Sequence, residues 1–425
     1  MSDTCEQTWL RRRDDPRYNT SYPLQPADWQ PYRAPGALPF AERELAFYLH
    51  VPFCASLCSF CEYTRMRVPH PRLQEWYIDR AGLDMQRFTE EHSGCTLLGF
   101  DIGGGTPMVL AERPFSRLLE LHACISAALP HAPGYEPSIE GTFATLTAQR
   151  AHLVAQAGIH RVSLGLQSTS ARVLDCNGRS EMPPEQLREK IAMAHAEGIR
   201  TVNVDLMYGL RGQRPEDIAA DLEQIARLDV DQVTLYELRT NMIAESPTTT
   251  ADERYAAYCT LHRGLDALGY RGEFGRNTFS RRNGECGCSS YLEHRMESGC
   301  AYKGFGISAQ SMSGAGISYN IGKNAACLPV ELPGYESGGD TYLLPPRELA
   351  AKYLAIAAYC GHFSLDVLTS KLGEPAEACY GPQLEFCLGR GLMERQGSRV
   401  SITREGFRHY GAVFSLFYAP EPPRS

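Results

Sequence analysis

Long apolar runs are missing from this sequence of 425 residues. No stretch approaches the roughly 18 consecutive apolar residues that span a bilayer. Residues 1–14 are polar and lack the apolar core of a secretory signal. These two absences predict a cytoplasmic protein with no membrane partner.

An excess of positive charge is missing as well, because the formal net charge is -8. Proteins that bind nucleic acids generally gain affinity by neutralising phosphates with lysine and arginine. The charge balance therefore argues against a nucleic-acid partner. A small molecule is the expected substrate.

Cysteine, in contrast, is abundant, with fifteen residues. A disulfide framework is not expected, because the chain shows no secretory signal and is long enough to bury an ordinary core. Binding of a metal or a cluster by a subset of the cysteines is the better expectation. Those that stand alone are interpreted as small buried side chains.

Short apolar runs alternate with helix-like segments through the first two thirds of the chain. This alternation predicts βαβ units and a parallel sheet, with all strand C-termini at one end. The predicted fold class is α/β, as an open, partial (β/α)6 barrel whose site lies at that end. The predicted strands are 46–51, 98–102, 138–141, 162–165, 201–206 and 232–236, and the helices are 72–92, 113–128, 147–157, 184–197, 215–227 and 252–268.

The composition changes along the chain and suggests three regions. Residues 1–44, rich in Pro, Tyr and Arg from residue 15 onward, are predicted to form an extended N-terminal arm. Residues 45–330 hold the barrel and a glycine-rich extension. Residues 331–425 are predicted to form a small, mainly helical domain that resembles a winged helix.

The first predicted strand runs into three closely spaced cysteines, Cys54, Cys58 and Cys61, with the spacing C-x3-C-x2-C. Cysteine thiolates are the usual ligands of iron–sulfur clusters. Three of them can hold three irons of a 4Fe–4S cluster and leave the fourth iron open. The alternative, a zinc site, would need a distant fourth ligand.

The run Tyr48–Cys61 resembles the signature of the radical S-adenosylmethionine (SAM) superfamily, and more narrowly that of the oxygen-independent coproporphyrinogen oxidase group. The resemblance implies a radical SAM barrel in which a 4Fe–4S cluster cleaves SAM into methionine and a 5′-deoxyadenosyl radical. It also implies an electron donor such as flavodoxin or ferredoxin.

Later blocks of the sequence resemble the same family in order, among them Gly103–Pro107, Gly158–Ser168, Asn203–Leu210 and Gly304–Ser311. By this match, cofactor contacts are implied for a set of residues on the strand ends and the loops that follow. They are Tyr48, Phe60, Gly103, Gly104, Gly105, Thr106, Glu140, Gln167, Arg179, Asp205 and Ala309.

Two positions depart from the porphyrinogen oxidases. Tyr63 stands where those enzymes place a further cysteine, and Gln310 stands where an aliphatic residue is expected. Both departures favour another reaction of the group, class C methyl or methylene transfer to an sp2 carbon, which uses one or two SAM molecules. The alternatives are oxidative decarboxylation by a coproporphyrinogen III oxidase, which the arm motif Arg17–Pro23 favours, and a haem chaperone of the same fold.

Two further hypotheses concern the substrate region. Glu237, at the end of a predicted strand, is a candidate proton acceptor and, with Tyr63, a candidate catalytic residue; the alternative is a surface salt bridge with Arg239. Cys286 and Cys288 form a C-x-C pair that could hold a second metal or quench a radical, against the alternative of a plain loop.

Overall fold

The structure is a computed structural model, and it describes residues 4–15, 18, 22–24, 26–238, 249–320 and 340–418. Most residues of its central strands are buried, as in strands that are covered on both faces. In the strand Glu44–Val51, for example, six of eight residues are buried. The strands are β1 Arg33–Ala34, β2 Glu44–Val51, β3 Phe53–Cys54, β4 Met66–Arg67, β5 Thr96–Gly104, β6 Ser138–Gly141, β7 Arg161–Gln167, β8 Thr201–Tyr208, β9 Gln232–Glu237, β10 Thr278–Ser280, β11 Tyr302–Phe305, β12 Gln310–Ser313, β13 Gly316–Tyr319, β14 Asp340–Leu343, β15 His362–Ser364, β16 Met393–Gln396 and β17 Arg399–Ile402.

The helices follow the strands as the alternation predicts. Several begin at a capping side chain, as where Thr250 accepts from the backbone N–H of Glu253. The helices are α1 Cys5–Arg12, α2 Pro71–Glu91, α3 Glu112–Ala128, α4 Ala148–Gln156, α5 Ala171–Cys176, α6 Pro184–Ala196, α7 Pro215–Leu228, α8 Ala251–Ala267, α9 Ser290–Glu293, α10 Pro346–Ala357, α11 Leu365–Leu372, α12 Ala376–Gly389, α13 Arg404–Phe407 and α14 Tyr410–Ser415.

One sheet of twelve strands organises the molecule, in the order β1-β14-β13-β12-β11-β2-β5-β6-β7-β8-β9-β10. The block from β11 to β9 is parallel, and β10 pairs antiparallel with β9. This arrangement confirms the predicted α/β class and the parallel strands. Helices α2 to α7 connect the parallel strands β2 and β5 to β9, so the C-termini of these strands lie together at one end.

The C-terminal region contains α10 to α14 and a three-stranded antiparallel sheet in the order β15-β17-β16. The large sheet, however, crosses the predicted region boundaries: β1 comes from the predicted arm and β14 from the predicted C-terminal domain. The boundary at residues 330 and 331 lies outside the described residues. The division into three regions stays a prediction.

The predicted arm is not extended throughout. Helix α1 begins at a capping box in which the Thr4 hydroxyl accepts from Gln7 N–H and the Gln7 side chain accepts from Thr4 N–H. Trp9 of this helix packs against Phe386 and His409 of the C-terminal region. Most of the motif Arg17–Pro23 lies outside the described residues.

None of the helices in the described ranges is long and apolar enough to cross a membrane.

Candidate active site

A cavity of about 470 Å³ opens at the C-terminal ends of the parallel strands. This is where side chains on successive βα loops converge in such folds. Thirteen of the sixteen predicted site residues line it: Cys54, Cys58, Phe60, Cys61, Tyr63, Gly104, Gly105, Thr106, Glu140, Gln167, Arg179, Asp205 and Glu237.

The loop that carries the three cysteines is tied to its neighbours through Cys54. Cys54 ends β3, and its carbonyl accepts from the backbone N–H of Val68 at 2.9 Å. The Thr106 hydroxyl lies 3.8 Å from the Cys54 sulfur and donates toward it. The first cysteine is therefore fixed both to the returning strand β4 and to the glycine turn after β5.

Cys58 is held by two arginines. Arg65 donates from Nη2 to the Cys58 carbonyl at 2.7 Å, and Arg179 Nη1 lies 4.0 Å from the Cys58 sulfur. The backbone N–H of Ser59 donates to the carbonyl of Asn177, in the turn that leads to Arg179.

The thiols fit a cluster better than a single ion. Within the described ranges no three His, Cys, Asp or Glu side chains are gathered closely enough to hold one metal ion. A single zinc needs all sulfurs within about 2.3 Å of one point, whereas each cysteine of an iron–sulfur cluster binds a separate iron. Burial raises the pKa of Cys54 and of Cys61, so binding of iron would have to displace their protons.

The glycine turn after β5 has no room for side chains. Gly104 has φ +107°, and a Cβ there would lie 2.3 Å from the Nδ1 atom of His50. A Cβ on Gly105 would lie 2.7 Å from the carbonyl oxygen of Phe53. Bare backbone is therefore presented beside the cysteine loop, which is what close approach of a ligand requires.

Two carboxyl groups face the same cavity, and among the described residues neither accepts a hydrogen bond from a lysine or an arginine. Glu140 accepts from the backbone N–H of Gly104 at 3.0 Å, and enclosure within the site raises its pKa to about 8. Asp205 accepts from Asn203 at 2.8 Å and from the hydroxyl of Ser163. Burial raises the pKa of Asp205 to about 6. A bound cation, such as the ammonium or sulfonium of SAM, would favour the ionised form of both groups, so these residues fit that ligand.

Gln167 reaches the cavity through an unusual backbone. Its φ is +71°, and the pairing of β7 with β8 shifts register between Gly165 and Gln167. Non-glycine residues rarely adopt positive φ, and such strain is found at binding sites. A Cβ on Gly165 would lie 2.7 Å from the Gln167 amide and 3.5 Å from Arg179, so these two side chains cover that glycine.

Three predicted contacts lie outside the cavity lining. Tyr48 stacks on Tyr291 with ring centroids 5.7 Å apart. Gly103 lies under the carboxyl group of Glu140, and Ala309 is buried beside Gly304. Gly103 thus lies directly behind the cavity wall at Glu140, and direct cofactor contacts from all three residues stay a prediction.

The two candidate catalytic residues are both at the cavity. Tyr63 is 55% exposed and lines it directly. Glu237 forms an ion pair with Arg254 at 2.9 Å, with both side chains 11% exposed. The suggested partner Arg239 lies outside the described residues, and the buried ion pair with Arg254 was not anticipated.

The polar side chain of Gln310 forms hydrogen bonds with two neighbouring tyrosines. Tyr302 donates to its side-chain oxygen, and its amide donates to the Tyr319 hydroxyl at 2.6 Å. All three residues lie on the antiparallel strands β11 to β13, and none lines the cavity. Gln310 therefore lies away from the cavity, whereas Tyr63, the other departure from the porphyrinogen oxidases, lines it.

The sequence interpretation missed part of the cavity wall. Arg65, which stands only four residues beyond Cys61, lines the cavity and has a buried Nε with no hydrogen-bond partner among the described residues. Tyr359, Phe407 and Tyr410 line it from the C-terminal region. Arg65 could have been inferred from its proximity to the cysteines, but nothing local in the sequence points to the other three.

Comparison with known proteins agrees with this geometry. Residues 48–225 match the family model described as the Radical SAM superfamily. The chain is 28% identical to the haem chaperone HemW of Escherichia coli, covering 88% of this chain and 98% of that protein. It is 29% identical to an anaerobic coproporphyrinogen III oxidase of Cereibacter sphaeroides, covering 96% and 95%.

Among solved structures, the coproporphyrinogen III oxidase HemN of Escherichia coli superimposes with a TM-score of 0.70 at 19% identity, over 88% of this chain and 90% of that one. That likeness shows the shared fold. The chain is therefore similar to the radical SAM superfamily over residues 48–225, and to coproporphyrinogen oxidases and haem chaperones over most of its length.

Proposed function

We propose that this protein is an enzyme that binds a 4Fe–4S cluster through Cys54, Cys58 and Cys61 and uses SAM to start a radical reaction on a tetrapyrrole-class substrate. The observation that carries the proposal is that one cavity brings together the three thiols, the glycine turn and the two buried carboxyl groups. When bound and reduced, such a cluster supplies the electron that cleaves SAM.

In this proposal, positively and negatively charged side chains of the cavity bind different groups of SAM. Arg179 offers a guanidinium to the methionine carboxylate, a pairing that its planar fork suits. Glu140 and Asp205 offer carboxylates to the ammonium group and to ribose hydroxyls. Gly104 and Gly105 leave space for backbone contact with the ligand.

The tetrapyrrole class is supported by two observations. The relatives that cover most of the chain are named for coproporphyrinogen oxidation and for haem handling. The part of the cavity wall that comes from β9 and the C-terminal region carries the aromatic side chains of Tyr236, Tyr359, Phe407 and Tyr410. Flat aromatic surfaces suit a flat, largely apolar ligand. Oxidative decarboxylation of a propionate side chain is thus the first candidate reaction.

Class C methyl or methylene transfer is the second candidate, and Tyr63 is the observation that favours it. Tyr63 lines the cavity, and it stands at the sequence position where the porphyrinogen oxidases carry a further cysteine. In this reaction Glu237 would accept a proton from the substrate carbon. Its ion pair with Arg254 fixes the direction of the carboxylate.

One labelling experiment separates the two reactions. The anaerobically reconstituted protein is reduced and given methyl-deuterated SAM with coproporphyrinogen III, or in a parallel sample with haem. Decarboxylation predicts unlabelled 5′-deoxyadenosine together with loss of carbon dioxide from the substrate. Methyl transfer predicts deuterium in 5′-deoxyadenosine and a heavier substrate.

The haem chaperone is separated from both reactions by stoichiometry. A carrier binds haem in a fixed ratio and forms little 5′-deoxyadenosine in response to it. An enzyme forms product in excess over the protein. If haem binds at one equivalent and no substrate is converted, the proposal that this chain is an enzyme acting on tetrapyrroles fails.

The reducing partner is expected to be a flavodoxin or a ferredoxin. A test is whether a reduced flavodoxin supports formation of 5′-deoxyadenosine at a rate comparable with a chemical reductant. If reduced flavodoxin and reduced ferredoxin both fail to support this reaction while the chemical reductant succeeds, the proposed electron donor is wrong.

A further inference from the structure

A pair of cysteines that the proposed function does not use lies beside a second cavity. The sulfur atoms of Cys286 and Cys288 are 3.7 Å apart. Cys288 is buried, whereas Cys286 is partly exposed. Both line a cavity of about 630 Å³ together with His160, Arg200 and Gln232.

This second cavity lies at the opposite end of the sheet from the cysteine loop. His160 and Arg200 immediately precede β7 and β8, and Gln232 begins β9, so the opening is at the strand N-termini. The two cavities share no lining residue. The pair is therefore reached by a route separate from the cofactor site.

We propose that Cys286 and Cys288 form a redox-active dithiol that closes reversibly to a disulfide by exchange with a low-molecular-weight disulfide. The sulfur atoms need only approach from 3.7 Å to the about 2.05 Å of an S–S bond. No third His, Cys, Asp or Glu of the described residues joins them as a metal-holding group, which disfavours the second-metal hypothesis.

The exchange balances in two steps. The thiolate of Cys286 attacks the small disulfide, forms a mixed disulfide and releases one thiolate. Cys288 then loses its proton, attacks the sulfur of Cys286 and releases the second thiolate. The pair gives up two electrons and two protons, and the small disulfide becomes two thiols.

The surroundings assign these roles. Cys286 is the more accessible residue, and the hydrogen bond from Cys288 lowers the pKa of the Cys286 thiol. The same interaction raises the pKa of Cys288, which suits a second, resolving thiol. Arg276 adds positive charge nearby, with Nη2 4.0 Å from the sulfur of Cys360.

The loop that bears the pair is fixed. Thr278 donates to the carbonyl of Cys286 at 2.5 Å. Gly287, between the two cysteines, has φ +77°, and a Cβ there would lie 2.7 Å from the backbone of Phe279. A loop held in this way keeps the two thiols adjacent, so closure does not require ordering of a flexible segment.

Oxidation of Cys286 and Cys288 would also affect the cofactor cavity. Cys288 belongs to a buried cluster with Met296 and Cys360, against which Tyr359 packs. Tyr359 is also part of the wall of the cofactor cavity. One side chain thus links the dithiol to the proposed active site, although the pair itself opens to the other end.

Mass spectrometry of the full-length, cluster-loaded protein tests the proposal. The protein is treated anaerobically with oxidised glutathione, quenched with acid, alkylated and digested with trypsin. The peptide 283–295 contains both cysteines. We expect it to become two hydrogen masses lighter and to resist alkylation, and we expect a thiol reductant to reverse the change.

Variants identify the order of the steps. Cys288→Ser should trap a glutathione adduct on Cys286, whereas Cys286→Ser should leave Cys288 unmodified. Cys124, which is exposed and lies outside such a pair, is the internal control and should form only an adduct. The proposal is overturned if wild-type protein accumulates adducts on Cys286, if Cys288 joins Cys360 instead, or if both thiols survive while Cys124 reacts.

Discussion

At the scale of single residues, the requirement for glycine at position 104 can be tested by substitution. Gly104→Ala introduces a Cβ at φ +107° that would collide with His50, whereas Gly158→Ala adds one at φ +79° with nothing within 4 Å. Both changes strain the backbone by about 1 kcal/mol, but only the first also overpacks its site, by about 1–3 kcal/mol more. We expect thermal unfolding to show the larger loss for Gly104→Ala and equilibrium dialysis to show weaker SAM binding for that variant alone. Equal effects of the two variants would contradict this interpretation of the turn.

Glu140 should make the protein less stable as the pH rises. Its pKa is about 8 in the folded protein, against an ordinary value of 4.5. Between these values the folded state holds the proton that the unfolded chain releases, so the free energy of unfolding falls with increasing pH. Without SAM, the unfolding temperature of Glu140→Gln should therefore fall less between about pH 5 and pH 8 than that of wild type.

Glu377 provides the control for that measurement. Hydrogen bonds with its own backbone N–H and with Arg395 lower its pKa below the ordinary value of 4.5. Its contribution to stability is therefore complete above its ordinary pKa and is lost only as the pH falls below it. Glu377→Gln should leave the slope between pH 5 and 8 unchanged. A Glu140→Gln slope as steep as that of wild type would show that the carboxyl is not held protonated.

Many of the site residues could be predicted because the chemistry is local. The cysteine spacing and the glycine triplet each lie within a single loop, and their residue types alone indicate what they can bind. The ion pair of Glu237 with Arg254 and the contact of Arg179 with the Cys58 loop could not be predicted in this way. Cys58 and Arg179 are 121 residues apart, and Glu237 and Arg254 lie on β9 and α8, so both pairs meet only when these elements pack together.

At the scale of elements, the periodic pattern identified the six parallel strands and the helices that connect them, with ends displaced by only a few residues. The strands β11 to β14 were not identified. Each is only four residues long and depends on a neighbouring strand, since β11 pairs with β2 and β12 to β14 pair in succession. Local alternation cannot reveal such a partner.

Helix α1 was not predicted either, because the residues that it packs against lie in the C-terminal region. This packing leads to a testable prediction. Trp9 is 9% exposed against Phe386 and His409, whereas Leu10 on the same helix is 50% exposed. Trp9→Ala should cost about 3 kcal/mol, and Leu10→Ala should cost less than about 0.5 kcal/mol. Hydrogen exchange of the backbone amides in α12 and α14 should accelerate only in the first variant. Unchanged exchange in both would mean that α1 does not stabilise the C-terminal region.

At the scale of the whole molecule, the cavity combines parts that are remote in sequence. The cysteine loop, the strand ends and the C-terminal region each supply one wall, and Tyr359 comes from the last of these. Because Tyr359 lies on the aromatic side, Tyr359→Ala should keep the cluster and substrate-independent cleavage of SAM. Substrate-dependent turnover should fall by about tenfold or more, as expected when a positioning contact is lost.

The matched variant Tyr359→Phe keeps the ring and should retain most of that turnover. Liquid chromatography of the same samples measures both the substrate-derived product and 5′-deoxyadenosine. The two amounts separate a loss of substrate turnover from a loss of SAM cleavage. An equal loss of both in Tyr359→Ala would place Tyr359 at the cofactor, not at the substrate.

The central claim is that Cys54, Cys58 and Cys61 hold the cluster that cleaves SAM. The most direct measurement is the formation of 5′-deoxyadenosine by anaerobically reconstituted and reduced protein, compared between wild type, Cys58→Ala and the exposed control Cys124→Ala. We predict product from wild type and Cys124→Ala, and a loss of at least about a hundredfold in Cys58→Ala together with loss of the iron–sulfur absorbance. Equal product from Cys58→Ala, or none from well-reconstituted wild type, would contradict the claim.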